Sequence, residues 1–531
     1  MWFDSRRSAI HARNGMVATS QPLAAMTGIQ ILMAGGNAVD AAVATAATLA
    51  VVEPMSTGVG GDLFALVWNA KEKRVHALNG SGRAGEHASL EELVRQGLNT
   101  IPEDSPYSVT VPGTVDGWEN LLNKCGTMGF QDILKPAIEY AENGFPVSEI
   151  ISNAWVSSVP KLSKLPSGQE MLINGRAPET SEIMQLPELG KTLRAIVDGG
   201  ARGFYTGRIA ERISQFVEQQ GGWISQKDLA EHSSEWVEPI STNYRGMDIW
   251  ECPPNGQGLN VLLGLNMLEG FQISDMGAQS TDRYHHLMET TRLALADGFR
   301  YITDPESEHV PVPVLLSKNY AQKRAREINP DRALQTILPG KIPPTGNTVY
   351  LTVIDKDGNA CSLMNSIYRN FGTGLVVPET GILLHCRGAL FSLDPNHPNA
   401  LAPGKRTFHT IIPSMVTQND NLIMSFGVMG ALQQAQAQIQ VLTNMFDFDM
   451  EPQQALNALR YRINPSQATA IEEGISNEVQ AQLAKRGHDL TLISGEQRTL
   501  FGKGQIIARN PETGTLTAGT EPRSDGIAIG W

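Results

Sequence analysis

From Thr348 the chain alternates, with Thr348, Tyr350, Thr352 and Ile354 on one side of an extended strand and Val349, Leu351 and Val353 on the other. Asp357-Gly358 then marks a tight turn, and an apolar run resumes as Ala360-Cys361-Ser362-Leu363-Met364-Asn365-Ser366, so the pattern predicts a β-hairpin. A loop of Lys356 to Gly358 pairs Asp355 with Asn359 and sets Thr348 opposite Ser366, whereas a loop one residue different moves that partner to Ile367. Residues 36–53 are alanine-rich and apolar nearly all round, which predicts a helix buried between layers with Asn37 as its N-cap. Apolar residues recur at helical spacing from Asp282 to Asp297. His285 and His286 on that helix point about 100° apart, so they do not share a face as the histidines of a zinc-binding H-E-x-x-H do and read as structural or surface groups. Residues 328–346 are rich in Pro and Gly without a sustained period, predicting a flexible loop that leads into Thr348. Gly404-Lys405-Arg406-Thr407 has the ending of a phosphate-binding loop but not its earlier glycine, and is set aside.

Charge narrows the function class. Across 531 residues, 42 Lys+Arg stand against 55 Asp+Glu, a net charge of −13 with no basic run to follow a phosphate backbone, so nucleic acid is not an expected partner. The first eight residues lack the apolar core of a secretory signal, and no segment approaches the length of an apolar membrane span; a soluble, cytoplasmic protein without a membrane partner is expected. Cys125, Cys252, Cys361 and Cys386 show no C-x-x-C spacing and read as buried thiols. Length alone suggests two or more domains.

The run TVYLTVIDKDGNACSLMNSI followed by FGTGLVVPETGILL (371–384) resembles the gamma-glutamyltransferase (gamma-glutamyltranspeptidase) family of N-terminal nucleophile hydrolases. Gly35 to Ala42, Val52-Glu53-Pro54, Gly58-Val59-Gly60-Gly61, Val111 to Trp118 and Gly519 to Arg523 extend the likeness over nearly the whole chain, in the right order. The resemblance implies an α/β protein with one compact domain, a four-layer αββα sandwich. It also implies self-cleavage between Asn347 and Thr348, giving a large subunit 1–347 and a small subunit 348–531 that remain associated. Thr348 is then both nucleophile and, through its freed α-amine, base, while Ser366 takes the place of the family's second hydroxyl residue. Gly430 and Ala431 match the turn whose adjacent N–H groups stabilise the oxyanion; Ala431 stands where a second glycine is usual, which a negative φ would accommodate.

The family's glutamyl anchors are not matched. Ser81 stands near the position of the arginine that holds the α-carboxylate, with Arg83 two residues late, and Leu390 occupies that of the aspartate that holds the α-amine. His409-Thr410 replace the paired serines. Arg387 is the expected receiver of a substrate carboxylate, with Arg406, His409 and Thr410 as further substrate-binding candidates. The leading expectation is a self-processing threonine amidohydrolase or acyltransferase acting on a γ-glutamyl compound or related small amide, with water or an amine as acceptor. An oxamate-type amidohydrolase or acylase is the alternative within the class, and a catalytically silent homologue with a binding role the alternative outside it. No cofactor or metal is implied, and a homo-oligomer is compatible with the sequence.

Overall fold

A computed structural model describes residues 7–335, 348–464 and 468–531. The strands that build its centre are, in chain order, β1 (Ile10–Ala12), β2 (Met16–Thr19), β3 (Asp62–Asn69), β4 (Arg74–Gly80), β5 (Glu235–Val237), β6 (Ile240–Tyr244), β7 (Met247–Glu251), β8 (Val349–Ile354), β9 (Ala360–Ser366), β10 (Ser414–Gln418), β11 (Asn421–Met429), β12 (Lys503–Arg509), β13 (Leu516–Thr520) and β14 (Ile527–Gly530). They form two seven-stranded sheets, in the orders β14-β2-β8-β9-β3-β4-β5 and β1-β13-β12-β11-β10-β7-β6. Every neighbouring pair in both is antiparallel.

Helices α1 (Pro22–Met33), α2 (Ala38–Val52) and α3 (Thr114–Cys125) cover the first sheet, and α4 (Gly258–Leu268), α5 (Thr281–Tyr301) and α6 (Gln433–Phe448) cover the second. Strand β8 shows why four layers result. Val349, Leu351 and Val353 join the apolar layer that includes α2, while Tyr350 and Ile354 join the layer between the sheets. Because both faces are covered, the alternation that reads from sequence as half-buried is buried throughout. All residues of α2 are buried too, and its N-terminus is closed by a capping box between Asn37 and Asp40. The αββα sandwich expected from the resemblance is the observed architecture.

The hairpin register matches the three-residue loop: Val349 pairs with Asn365 and Ile354 with Ala360, and the Asp355 N–H donates to Asn359 O at 3.0 Å. The Asp355 carboxylate collects the N–H groups of Asp357 and Asn359 and, at 3.0 Å, that of Ala38, which fastens the turn to the start of α2. Neither hairpin strand is an edge, since β2 flanks β8 and β3 flanks β9. His285 is structural, with Nε2 2.7 Å from Asn329 O and Nδ1 2.8 Å from His488 Nε2; its neighbour His286 has Nδ1 2.8 Å from Asp282 O. All four cysteines are free, Cys252, Cys361 and Cys386 buried and Cys125 half-buried. Among the described residues no helix is long and apolar enough to cross a membrane, and no His/Cys/Asp/Glu group is arranged to hold a metal ion.

Candidate active site

Thr348 lies immediately before β8 and is fully buried, with its Oγ1 3.1 Å from Ser366 Oγ at the end of β9. Gln434, in the first turn of α6, approaches the same Oγ1 from the second sheet's side. Its Nε2 donates to Thr348 at 3.4 Å while its Oε1 accepts from the Ile412 N–H at 3.1 Å, which fixes the orientation of the amide. Asn347, the other half of the expected cleavage site, lies outside the described residues, as does most of the loop predicted before it.

Ser366 is held from two further sides. The Tyr368 N–H donates to its Oγ at 2.9 Å, a local turn that accompanies a left-handed Tyr368 (φ 74°), and Arg387 Nη2 donates at 3.0 Å. Arg387 is 1 % exposed; its Nη1 donates to Thr410 Oγ1 at 2.8 Å, and its guanidinium lies 4.7 Å from the centre of the Tyr368 ring. The fork expected to meet a substrate carboxylate is thus occupied by two hydroxyl groups of the protein.

Behind Arg387 sits Asp62, a residue the sequence pattern does not single out. Gly61 carries the chain so close to β9 that a Cβ there would lie 2.5 Å from Ser366 O, which only glycine permits, and the next residue starts β3 in register with Ser366. Asp62 Oδ2 lies 3.0 Å from His409 Nε2, 3.1 Å from His385 Nδ1 and 3.4 Å from Arg387 Nε, while its Oδ1 accepts from the Gly82 N–H at 3.1 Å. Burial alone would raise the Asp62 pKa, but His385 and His409 outweigh it and hold the carboxyl well below the usual range. His409 is pushed down to about 3 by burial and by the nearby Arg387 charge, so it is neutral; the Ile411 N–H at 3.4 Å from Nδ1 places its proton on Nε2, toward Asp62.

The Gly430-Ala431 turn closes the other side. Gln257 Nε2 donates both to Thr410 O at 2.6 Å and to Ala431 O at 2.8 Å, tying the turn to the Arg387–Thr410 contact. One expectation needs correction here. Ala431 has φ 53°, not a negative value, because Gly430 at φ 138° and the start of α6 leave it the left-handed conformation that a second glycine would adopt without strain. Arg406 is not grouped with Thr348: its Nε donates to Ser81 O at 3.0 Å and its Nη2 to Glu235 at 2.8 Å, so the side chain braces the β4–β5 end of the first sheet. Arg83 belongs to the same brace through Asp304, Glu235 and Glu306. The sequence candidates Thr348, Ser366, Arg387 and Thr410 form one contact chain, with His409 one step behind it through Asp62.

Two hydroxyls on adjacent strands, an arginine clamp and a fold of two antiparallel sheets between helical layers agree with the likeness to known proteins. A gamma-glutamyltranspeptidase family model matches residues 24–531. The chain belongs to that family. Its fold is shared with cephalosporin acylase from Bacillus halodurans, at a TM-score of 0.94 and 43% identity over 100% of this chain and 98% of that one. The family member named glutathione hydrolase-like YwrD proenzyme, from Bacillus subtilis (strain 168), is 37% identical over 523 residues, covering 97% of this chain and 98% of its own length. Oxamate amidohydrolase proenzyme from Klebsiella pneumoniae is 34% identical over 530 residues, 98% of each. The chain is therefore an enzyme of the gamma-glutamyltranspeptidase family with the N-terminal nucleophile hydrolase fold.

Proposed function

We propose that this chain is a self-processing threonine amidohydrolase that cuts itself before Thr348 and then cleaves small amides through an ester on the Thr348 hydroxyl. The observation that carries the reading is the 3.1 Å contact between Thr348 Oγ1 and Ser366 Oγ inside a buried polar cluster. In maturation, Thr348 Oγ1 attacks the Asn347 carbonyl carbon, the peptide C–N bond breaks, the α-nitrogen takes up the hydroxyl proton, and water hydrolyses the resulting ester. The freed α-amine, with an unperturbed pKa of roughly 7.7–8.0, is then basic enough to accept the Oγ1 proton in each turnover. Attack on the substrate carbonyl forms a tetrahedral oxyanion for the Gly430-Ala431 turn, the leaving amine departs with that proton, and water releases the acid.

The substrate reading favours an acyl group without an amino-acid head group. At the place of the expected arginine, Ser81 is hydrogen-bonded to Asn79 at 2.7 Å and to Asn255 at 3.2 Å, and at the place of the expected aspartate Leu390 is buried and apolar. Neither holds a glutamyl carboxylate or ammonium. The similarity to an acylase and to an oxamate amidohydrolase supports the same direction, whereas the glutathione hydrolase-like relative supports a γ-glutamyl substrate as the second reading. The test is a profile of purified protein against an acyl amide, oxamate, glutathione and γ-glutamyl anilide, alongside Thr348→Ala. Hydrolysis of the first two above the last two, lost in Thr348→Ala, is expected. Preference for glutathione would establish the second reading, and full activity in Thr348→Ala would overturn both.

A further inference from the structure

We propose that Asp62 is a positioning residue for the nucleophile, acting through Arg387 on Ser366. The inference rests on the functional reading above and adds a residue to it. Sheet geometry supplies the first argument. Thr348 faces Ser366 on one side of β9, and Asp62 pairs in register with Ser366 on the other, so a hydroxyl, a hydroxyl and a carboxylate stand in a row across adjacent strands. Arg387 spans the last two, with Nη2 3.0 Å from Ser366 Oγ and Nε 3.4 Å from Asp62 Oδ2.

Hydrogen-bond capacity supplies the second argument. A serine oxygen has two lone pairs and one proton. At Ser366 the N–H groups of Tyr368 and Arg387 both donate to Oγ, and the same oxygen lies 3.1 Å from Thr348 Oγ1. Two N–H donors, one of them cationic, fix Ser366 Oγ beside Thr348 Oγ1 and polarise its hydroxyl, which favours the negative charge that grows on Oγ1 as the threonine proton leaves. Asp62 completes the arrangement by supplying the counter-charge without which a buried guanidinium would draw back from the site. His409 and His385 on the same carboxylate oxygen keep it turned toward Arg387.

Asp62 makes no contact with Thr348 among the described residues, so its effect should appear in the rate constants and disappear when Ser366 is gone. The experiment measures self-cleavage rate, kcat and KM for wild type, Asp62→Asn, Ser366→Ala and the double variant, with thermal unfolding to confirm folding and Thr348→Ala as the control. Asp62→Asn should lower kcat and the cleavage rate by about 10-fold or more with KM changed less than about 2-fold, and the same substitution added to Ser366→Ala should cost less than about 2-fold more. Wild-type rates in Asp62→Asn, or losses that multiply fully in the double variant, would overturn the proposal and mark Asp62 as a fold-stabilising residue only. If Asp62→Asn does not fold, Asp62→Asn/Arg387→Gln removes the stranded cation as well; wild-type kcat in that variant, or full multiplication of its loss with Ser366→Ala, would overturn the proposal equally. A cleaved and active Thr348→Ala would defeat the functional reading itself, whereas an inert Thr348→Ala beside an unimpaired Asp62→Asn would defeat only the role given to Asp62.

Discussion

Arg387 holds Ser366 and Thr410 at once, through Nη2 at 3.0 Å and Nη1 at 2.8 Å. A lysine keeps the charge but has one nitrogen where this contact needs a fork. Arg387→Lys should therefore lower kcat/KM by about 10- to 150-fold, the equivalent of about 1.5–3 kcal/mol for one charge-assisted hydrogen bond. Because Ser366 faces Thr348 before any substrate arrives, self-cleavage should slow as well, which a time course of intact mass would record. A variant that matures at the wild-type rate and loses only turnover would mark Arg387 as a ligand of the substrate carboxylate instead.

Ser366→Ala removes the hydroxyl that meets Thr348 Oγ1. Maturation and kcat should both fall by roughly 10- to 1000-fold, the range seen for positioned catalytic donors. Wild-type folded protein, given time, should yield fragments of 347 and 184 residues by mass, and Thr348→Ala should stay at 531.

Ala431 has φ 53° in the turn that precedes α6. A left-handed alanine costs about 1–2 kcal/mol, while glycine at the same place costs the unfolded chain's extra freedom, about 0.4–1 kcal/mol. Ala431→Gly should thus leave thermal stability unchanged or slightly raised, with activity retained. Gly430→Ala should do the opposite, since φ is 138° there and a Cβ would meet Gly502 Cα at 3.3 Å.

Glu251 carries a proton in the fold. The Ser414 hydroxyl contacts both Glu251 Oε1 and Gln438 Oε1, and the orientation of Gln438 is fixed because its Nε2 donates to Ile412 O at 2.8 Å. One hydroxyl proton cannot serve two bare acceptors, so the acid must bring its own, in line with a pKa that burial pushes well above the ordinary value. A raised folded pKa gives stability that is full below the unfolded pKa of about 4.3 and lost as pH rises toward the folded one, at about 1.4 kcal/mol per pH unit. Glu251→Gln should therefore flatten the loss of stability as pH rises above the unfolded pKa of about 4.3 relative to wild type, as urea midpoints measured from there upward would show.

The hairpin, its register and the buried helix α2 were legible because each follows from local pattern: alternation, an Asp-Gly turn and a capped apolar run. Thr348 and Ser366 were legible through the same register once the resemblance gave the threonine a role. Asp62 was not, although it directly follows the Gly58–Gly61 run, because nothing local says that β3 lies beside β9 some 300 positions later in the chain. Arg387 was found, but its partners were not, since the choice between a substrate and two protein hydroxyls depends on which way a loop turns after β9. The sign of φ at Ala431 was missed for a related reason: alanine suits the right-handed region, and the turn between β11 and α6 overrides that preference.

The placement of β8 and β9 between β2 and β3 has a further consequence for any molecule cut before Thr348. The two pieces share one sheet, with hydrogen bonds on both flanks of the hairpin, so neither can leave intact without the other unfolding. Unfolding of the uncut chain is an event within a single molecule, but recovery of the cut one requires two separate pieces to meet. Dilution would then weaken the mature enzyme and leave its precursor untouched, so that cutting exchanges a fold able to repair itself alone for one whose persistence depends on how slowly it opens.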